Sequence, residues 1–234
     1  MTIRAIVTDI EGTTTPIAFV HDVLFPYARA RLAAFCAERQ SEPAVAAALA
    51  AARDEAGNAS LTLDETVTAL FQWMDEDRKS GPLKSLQGMI WQTGYEAGVL
   101  KGQIYDDAAA FLEAWHAKDI ALYVYSSGSV AAQKLIFGFS DHGDLTPLFR
   151  GYFDTAIGAK VDAASYAAIA KSVGVAPANI LFLTDMEKEV EAARAAGFTV
   201  AQIDRAIPQE KTRHEGDVLV AGSFGPVDQL IVQA

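Results

Sequence analysis

The stretch that decides the fold is "IVTDIEGTTTP", residues 6–16, close to the start of the 234-residue chain. An apolar run over residues 3–9, which we interpret as a strand, ends at two carboxylates, Asp9 and Glu11. A glycine and three threonines follow directly. Glycine lets the backbone turn sharply, and the N–H groups and hydroxyls after it can hold phosphate oxygens. The stretch therefore predicts a strand whose end carries reactive polar groups.

Beyond residue 100, short apolar runs alternate with amphipathic stretches. The runs predicted as strands are 120–127, 151–157, 179–185, 198–204 and 217–224. Apolar residues at helical spacing predict helices over 106–119, 129–138, 163–174 and 187–197. We expect three glycines to end helices in the left-handed conformation, namely Gly138, Gly174 and Gly197. The alternation predicts an α/β fold, a doubly wound parallel sheet with helices on both faces.

The segment between the first strand and residue 100 has a different pattern, in which every periodic stretch is helical. The predicted helices cover 23–39, 42–57, 62–79 and 83–100. Glycines separate them, at Gly57, Gly81 and Gly98. We therefore predict a core domain made of residues 1–18 and 101–234, with an all-helical cap domain, residues 19–100, inserted after the first strand.

The composition excludes several classes of partner. The formal net charge is −11 and the isoelectric point is near 4.7, so the chain does not attract nucleic acid or an anionic membrane. A single cysteine, Cys36, rules out an intrachain disulfide and fits a reducing compartment. The sequence shows neither a signal peptide nor a transmembrane run, so we expect a cytoplasmic location. We also expect a monomer.

Polar side chains follow four of the predicted strands. The first strand ends at Asp9 and Glu11, and the second at Ser126 and Ser127. Lys160 follows the third strand, and Asp185 ends the fourth. Since functional residues of such sheets collect at the carboxyl ends of the strands, we expect these side chains to line one crevice.

This set of side chains suits phosphoryl transfer. A carboxylate at a strand end, Asp9, can act as a nucleophile and form an acyl-phosphate. Glu11 can protonate the leaving oxygen and later act as base for the hydrolytic water. Lys160 supplies a positive charge that offsets the phosphate. The hard oxygen ligands of Asp9 and Asp185 are of the kind that suits magnesium.

The second strand end adds a different contribution. Ser126 and Ser127 lie at a predicted helix entrance, where unpaired N–H groups and the helix dipole favour an anion. Taken singly, each motif also has a simpler interpretation: a polar turn, a helix-capping loop, a surface lysine, or acids at a helix N-terminus. Their occurrence at successive strand ends favours the functional interpretation.

In this order, "DIEGTT", "YSSGS", Lys160 and "FLTD" resemble the four motifs of the haloacid dehalogenase superfamily of phosphotransferases. A helical insertion between the first two motifs is the usual position of that superfamily's cap. Most members have aspartate where this chain has Glu11. That difference, with "LQGMIWQTGYEAGVLKG" (86–102) and "YFDTAIGAKVDAASYAAIA" (152–170), is similar to the enolase-phosphatase family of methionine salvage.

The resemblance implies a two-step reaction. The substrate would be 2,3-diketo-5-methylthiopentyl-1-phosphate, a small-molecule phosphate ester, which is enolised and then dephosphorylated to an acireductone with Mg2+ as cofactor. Asp9, Glu11 and Asp185 match the family's metal positions. Substrate-contact positions are matched by Ser126, Ser127 and Lys160. In the superfamily the second acid of the first motif meets the metal through its backbone carbonyl, which leaves the Glu11 side chain for proton transfer.

Several residues are assigned less directly. Glu189, one helical turn after Asp185, is a candidate for an outer-shell role. Trp91 and Tyr95 are interpreted as packing residues, with contact to the methylthio tail as the alternative. The four histidines lack metal-ligand spacing, so we interpret them as surface or core residues. A functional role stays open only for His21, at the start of the cap.

Three rival functions share parts of this pattern. A phosphatase for another small phosphomonoester would also use Asp9, Lys160 and Asp185, but the segment from Gln87 to Gly98 argues against it. A dehalogenase would use Asp9 on carbon and need neither Glu11 nor a metal. A catalytically silent binding module would not need to keep the nucleophile, the lysine and the metal acid together.

Overall fold

A seven-stranded sheet organises the described part of the chain, residues 2–232 of a computed structural model. Its strands are β1 (Ala5–Thr8), β2 (Ala121–Tyr125), β3 (Phe149–Phe153), β4 (Ile180–Thr184), β5 (Thr199–Ile203), β6 (Thr212–Glu215) and β7 (Val218–Ala221). The strand order is β3-β2-β1-β4-β5-β7-β6, and β6 alone pairs antiparallel. The chain moves outward from β1 to β3 and then returns to β4, on the other side of β1. The ends of β1 and β4 therefore form the topological switch point, where ligands bind in such sheets.

The central strands are buried along their whole length. Every residue of β1 and of β4 is buried, and Val7 lies in register with Tyr123 of β2 and Phe182 of β4. A parallel strand covered on both faces requires a continuous apolar run rather than an alternating one. This is why the two runs were readable as strands from sequence.

Nine α-helices occur within residues 2–232, preceded by a π-helical segment at Phe19–Leu24. They are α1 (Phe25–Arg39), α2 (Pro43–Glu55), α3 (Leu63–Asp75), α4 (Gly81–Glu96), α5 (Asp106–Ala117), α6 (Val130–Gly138), α7 (Ala163–Val173), α8 (Glu187–Ala195) and α9 (Gly225–Val232). None of the helices in this part of the chain has the length and apolar character needed to cross a membrane.

The described chain divides into two compact units. The helical unit comprises residues 18–100, with the π-helical segment and α1–α4, and the α/β unit comprises the residues on either side of it. The helical unit has its own apolar core, centred on Leu32, Leu70 and Ile90, all fully buried. Two of its helices begin at a side-chain cap: Thr62 and Glu65 form a reciprocal capping box at α3, and the Ser80 hydroxyl accepts from the Leu83 amide at α4.

The predicted fold class, a mainly parallel α/β sheet with helices, is confirmed. Of the elements described above, three were not predicted: β6, α9 and most of the π-helical segment at Phe19–Leu24. The four residues of β6 are all exposed and polar, so the strand forms by pairing with β7 and has no apolar signature of its own. Its partner β7, whose four residues are all buried, lies within the predicted strand 217–224.

The helix-ending role is confirmed for Gly174 and Gly197, with φ of 73° and 86°, and is wrong for Gly138. Gly138 lies inside the last turn of α6, and the chain leaves the helix through Phe139 at a φ of −115°. A carbonyl of that last turn accepts instead from the Leu145 N–H at 3.0 Å, so no left-handed residue is needed to satisfy it.

Candidate active site

Lys160 lies between two acidic side chains. Its Nζ is 2.7 Å from Oδ1 of Asp9 and 2.8 Å from Oε2 of Glu189. The three side chains are only 8, 7 and 9% exposed. The hydroxyl of Thr184 donates to the same Glu189 oxygen at 2.6 Å. One buried cation thus serves two buried carboxylates, and the cluster keeps an excess of negative charge.

The electrostatics of this cluster follow from burial and mutual charge. Burial by itself would lower the pKa of Lys160, but Asp9 and Glu189 outweigh that effect and hold the pKa above its ordinary value. Burial, followed by the charge of Asp9, raises the pKa of Glu189, while Lys160 opposes the shift. Lys160 is therefore charged, and a second cation or a proton would relieve the surplus acid.

Three hydroxyls fix the backbone that carries the lysine. The side chains of Tyr125, Ser165 and Tyr166 donate to the successive carbonyls of residues 158–160, at 2.9, 2.7 and 2.6 Å. These hydroxyls belong to β2 and α7, which are rigid elements on either side of the loop. The lysine is thus positioned by the sheet and helix. The sequence carried no signal for this role, because the three residues read as ordinary core positions.

Asp185 follows β4 and approaches the turn after β1. Burial, and then the nearby charge of Asp9, raise the pKa of Asp185 to about 6. Gly12 has a φ of +70°, and a Cβ built there would lie 2.2 Å from Oδ2 of Asp185. Only glycine fits this position, since any side chain would occupy the space of the carboxylate.

The segment Asp9–Thr15, which we call the catalytic loop, is closed by its own backbone. The amides of residues 13–15 all donate to the carbonyl of Ile10, at 3.2, 2.9 and 2.9 Å, and the Gly12 amide donates to Thr15 at 2.8 Å. The prediction that the amides after Gly12 hold phosphate oxygens is therefore wrong for residues 13–15, because the turn itself uses those amides. The Thr14 hydroxyl is likewise engaged, donating to the Asp9 carbonyl at 3.2 Å.

The structure brings Asp9, Lys160 and Asp185 together at the switch point, with Glu189 beside them. Glu11 is partly exposed on the catalytic loop, and its charge contributes to the raised pKa of Asp185 after burial and Asp9. The outer-shell candidate Glu189 is a direct ion-pair partner of the lysine.

Ser126 and Ser127 lie just beyond β2, at the same edge of the sheet as the acids. Ser126 is buried and its hydroxyl accepts from the Gly128 amide at 3.3 Å, whereas Ser127 is exposed. The N-terminus of α6 follows, capped by Ser129, whose hydroxyl accepts from the Ala132 amide at 3.3 Å. Substrate contact by the two serines stays a prediction.

The donor set fits a divalent cation. Asp9 and Glu189 share Lys160, and burial and then the charge of Asp9 raise the pKa of Asp185, to which Glu11 also contributes. Among residues 2–232, no three acidic, histidine or cysteine side chains converge into a ready-made metal site. That arrangement suits Mg2+, which is usually held by one or two carboxylates together with water and substrate phosphate.

Comparison with known proteins shows the family to which the chain belongs. The family model for haloacid dehalogenase-like hydrolases matches residues 3–197, and the chain belongs to that family. Among curated proteins, it is 60% identical to enolase-phosphatase E1 of Parvibaculum lavamentivorans over 229 residues, which cover 98% of this chain and 96% of that protein. It is 55% identical to enolase-phosphatase E1 of Pseudomonas aeruginosa, over 88% of this chain and 91% of the other.

Solved structures give the same fold. The UTR4 protein of Saccharomyces cerevisiae superposes with a TM-score of 0.79 at 29% identity, covering 96% of this chain and 99% of the yeast chain. An L-2-haloacid dehalogenase from Xanthobacter autotrophicus gives a TM-score of 0.56 at 18% identity, covering 99% of each chain. At 18% identity the comparison shows a shared fold, and the dehalogenase activity is a property of that protein.

Proposed function

We propose that this chain is the enolase-phosphatase of methionine salvage. It would convert 2,3-diketo-5-methylthiopentyl-1-phosphate to the acireductone 1,2-dihydroxy-3-keto-5-methylthiopentene and phosphate. Near-full-length relatives that are more than half identical carry the name of this activity. The observation that carries the phosphatase chemistry is Lys160, which bridges Asp9 and Glu189 at the end of β1. A buried, ion-paired aspartate at a switch point is suited to act as a nucleophile.

In the phosphatase step, an Asp9 carboxylate oxygen attacks phosphorus and the bond between phosphorus and the ester oxygen breaks. Glu11 donates a proton to the departing enol oxygen and then takes one from the water that hydrolyses the acyl-phosphate. Lys160 offsets the phosphoryl charge, and Ser126 and Ser127 hold phosphate oxygens at the entrance of α6. Aspartate is regenerated and inorganic phosphate leaves.

Mg2+ fits the surplus of carboxylate oxygen at this site. The carboxylates of Asp9 and Asp185 and the backbone carbonyl of Glu11 would hold it, as the superfamily resemblance implies. When bound, the ion supplies positive charge to the phosphate and to a developing enolate. The chain's own contribution is to hold the Asp9 carboxyl against the Lys160 ammonium and to aim it at phosphorus.

Glutamate at position 11 has a specific explanation. Relative to aspartate, one additional methylene moves the carboxyl by roughly 1.5 Å, one carbon–carbon bond. Proton transfer requires hydrogen-bond contact between the carboxyl and the group that gains or loses the proton. The longer reach lets Glu11 address the carbon acid of the diketone as well as the leaving oxygen.

The helical unit, residues 18–100, we assign as the cap that gives the enzyme its specificity, because the α/β unit holds the residues for phosphate chemistry. Tyr95 is 2% exposed, and Trp91 donates its indole N–H to the Leu24 carbonyl at 2.8 Å. The burial of Tyr95 and the hydrogen bond of Trp91 favour packing roles for both residues. We further propose a cytoplasmic monomer acting on a small molecule, and the charge of −11 disfavours nucleic acid and anionic membranes as partners.

An anaerobic assay with the diketo phosphate and Mg2+ tests the assignment. It follows the absorbance of the conjugated enol and the release of phosphate together. Both signals are expected in the wild type. Phosphate release from a generic aryl phosphate, with no reaction of the diketo phosphate, would instead support a phosphatase for another phosphomonoester. No phosphate release from either ester would support the silent binding module.

A further inference from the structure

Arg205, in the loop after β5, binds the catalytic loop at the Thr13 carbonyl. Its Nε donates to the Thr13 carbonyl at 3.1 Å, and Nη2 donates to the same oxygen. The remaining nitrogen, Nη1, lies 2.8 and 2.9 Å from the two carboxylate oxygens of Asp107, at the start of α5. The Arg205 and Asp107 side chains are each 13% exposed.

The guanidinium of Arg205 is held by other residues of the chain. Each of its three nitrogens has a partner, and Nη1 also points to the Gly222 carbonyl at 3.4 Å. The guanidinium carbon lies 4.0 Å from the ring centroid of Tyr105 and 5.3 Å from that of Phe224. The guanidinium is thus oriented by protein oxygens on all three nitrogens and by two aromatic rings, which suits a residue that restrains the loop.

A second contact holds the next peptide of the loop. The Tyr105 amide donates to the Thr14 carbonyl at 2.9 Å. Asp107, which pairs with Arg205, also accepts from the Phe224 amide at 2.8 Å. The catalytic loop is therefore held by two sets of hydrogen bonds. The amides of residues 13–15 donate to the Ile10 carbonyl within the loop. The carbonyls of Thr13 and Thr14 accept from Arg205 and from the Tyr105 amide, which lie outside it.

We propose that Arg205, anchored by Asp107, is a positioning residue that holds the Thr13 carbonyl so that Asp9 and Glu11 keep their reactive geometry. The proposal rests on the proposed function, since it explains how those two acids stay aligned. A forked, charged donor restrains a carbonyl in direction as well as distance, which a single neutral donor does not. Small displacements at reacting groups are costly in rate, so a restraint outside the substrate site can matter for turnover.

The test compares Arg205→Met and Arg205→Lys with Arg213→Met. Arg213 is a matched control: it lies on β6, nearly half exposed, and pairs with Asp204 at 3.1 Å and Glu215 at 3.0 Å without contacting the catalytic loop. Two quantities are measured: hydrogen exchange of the amides of residues 13–15, and kcat and KM for an aryl phosphate with Mg2+. Each variant is studied at the same interval below its own Tm, so that loss of global stability does not enter the comparison.

In Arg205→Met we expect exchange of the loop amides to be at least about tenfold faster and kcat to fall about 10- to 100-fold, with KM changing less than about threefold. Arg205→Lys keeps the charge and should recover part of both effects. Arg213→Met should leave both quantities within about twofold.

Three outcomes would overturn the positioning role: unchanged exchange in Arg205→Met, faster exchange with kcat unchanged, or a rise in KM alone, which would mean that Arg205 binds substrate. A wild type without activity on any phosphate ester would contradict the proposed function. In that case the exchange comparison would still decide whether Arg205 holds the loop.

Discussion

The α/β unit and the helical unit bury different kinds of side chain. In the α/β unit, the side chains of Asp9, Lys160 and Glu189 are each at most 9% exposed and lie together at one edge of the sheet. In residues 18–100, the buried polar side chains are uncharged, namely Thr66, Ser80 and Gln87. Burying charge is expensive unless it is paired, and a protein that does so at one point keeps the charge there for chemistry. The contrast supports the proposal that the reaction takes place in the α/β unit and that the helical unit is a cap.

The largest expected effect is loss of the nucleophile. Asp9→Asn should lower kcat for phosphate release by at least about 10⁴-fold, because the amide cannot form the acyl-phosphate. It should not lower the Tm, because Glu189 then has Lys160 to itself. The change is measured by phosphate release and by thermal unfolding. Residual activity above one part in a hundred of wild type would exclude Asp9 as the nucleophile.

Removing the lysine should damage both activity and stability. Lys160→Met leaves two carboxylates buried without their cation, so the free energy of unfolding should fall by about 3–5 kcal/mol. We expect kcat to fall about 10²- to 10³-fold in the same variant.

Arg29→Met in the helical unit is the matched control for stability. Arg29 pairs with Asp75 at 2.9 Å, but the two side chains are 45 and 64% exposed. Loss of an exposed pair should cost less than about 1 kcal/mol. Both free energies of unfolding are measured with urea. Equal losses in Lys160→Met and Arg29→Met would contradict the contrast between a buried ion pair in the α/β unit and an exposed one in the helical unit.

A smaller effect concerns pH. The folded-state pKa of Asp185 is about 6, above its ordinary 3.8, so the folded metal-free protein retains a proton that the unfolded chain has already lost. Its stability should therefore fall as the pH rises from about 4 to about 6, by about 1–2 kcal/mol after allowance for partial exposure. Asp185→Asn should flatten this part of the profile, measured by urea unfolding without Mg2+. If the stability of the wild type instead rises between about pH 4 and pH 6 relative to that of Asp185→Asn, the raised pKa of Asp185 is contradicted.

The smallest expected effect lies in the helical unit. Trp91→Phe removes the indole hydrogen bond to Leu24 but keeps an aromatic ring, so stability should fall by about 1 kcal/mol. If Trp91 is a packing residue, kcat/KM for the diketo phosphate should change by less than about threefold. A loss of tenfold or more in kcat/KM would instead indicate contact with the methylthio tail.

The sequence was most informative where burial is complete on both faces. β1 and β4 are continuous apolar runs ending in acids, so both the strands and the positions of Asp9 and Asp185 were predictable. It was least informative where structure depends on distant partners. β6 is polar and forms only against β7, and Arg205 acts through Thr13, which lies 192 residues away in the chain.

The end of β5 did carry a usable signal. Arg205 follows Ile203 by two residues, at the same edge of the sheet as Asp9 and Asp185. The strand-end criterion that points to Asp9 and Asp185 therefore points to Arg205 as well. The closed backbone of the catalytic loop was not predictable, because glycine and threonine permit both a phosphate-binding turn and a turn that consumes its own amides.

The central claim is that one carboxyl, Glu11, moves protons in both half-reactions. The most direct test is the anaerobic two-signal assay applied to Glu11→Asp, with the diketo phosphate and Mg2+. We predict that enol formation and phosphate release both slow by at least about tenfold, since the shorter side chain withdraws from both protons. Near-native rates for both signals would contradict the account.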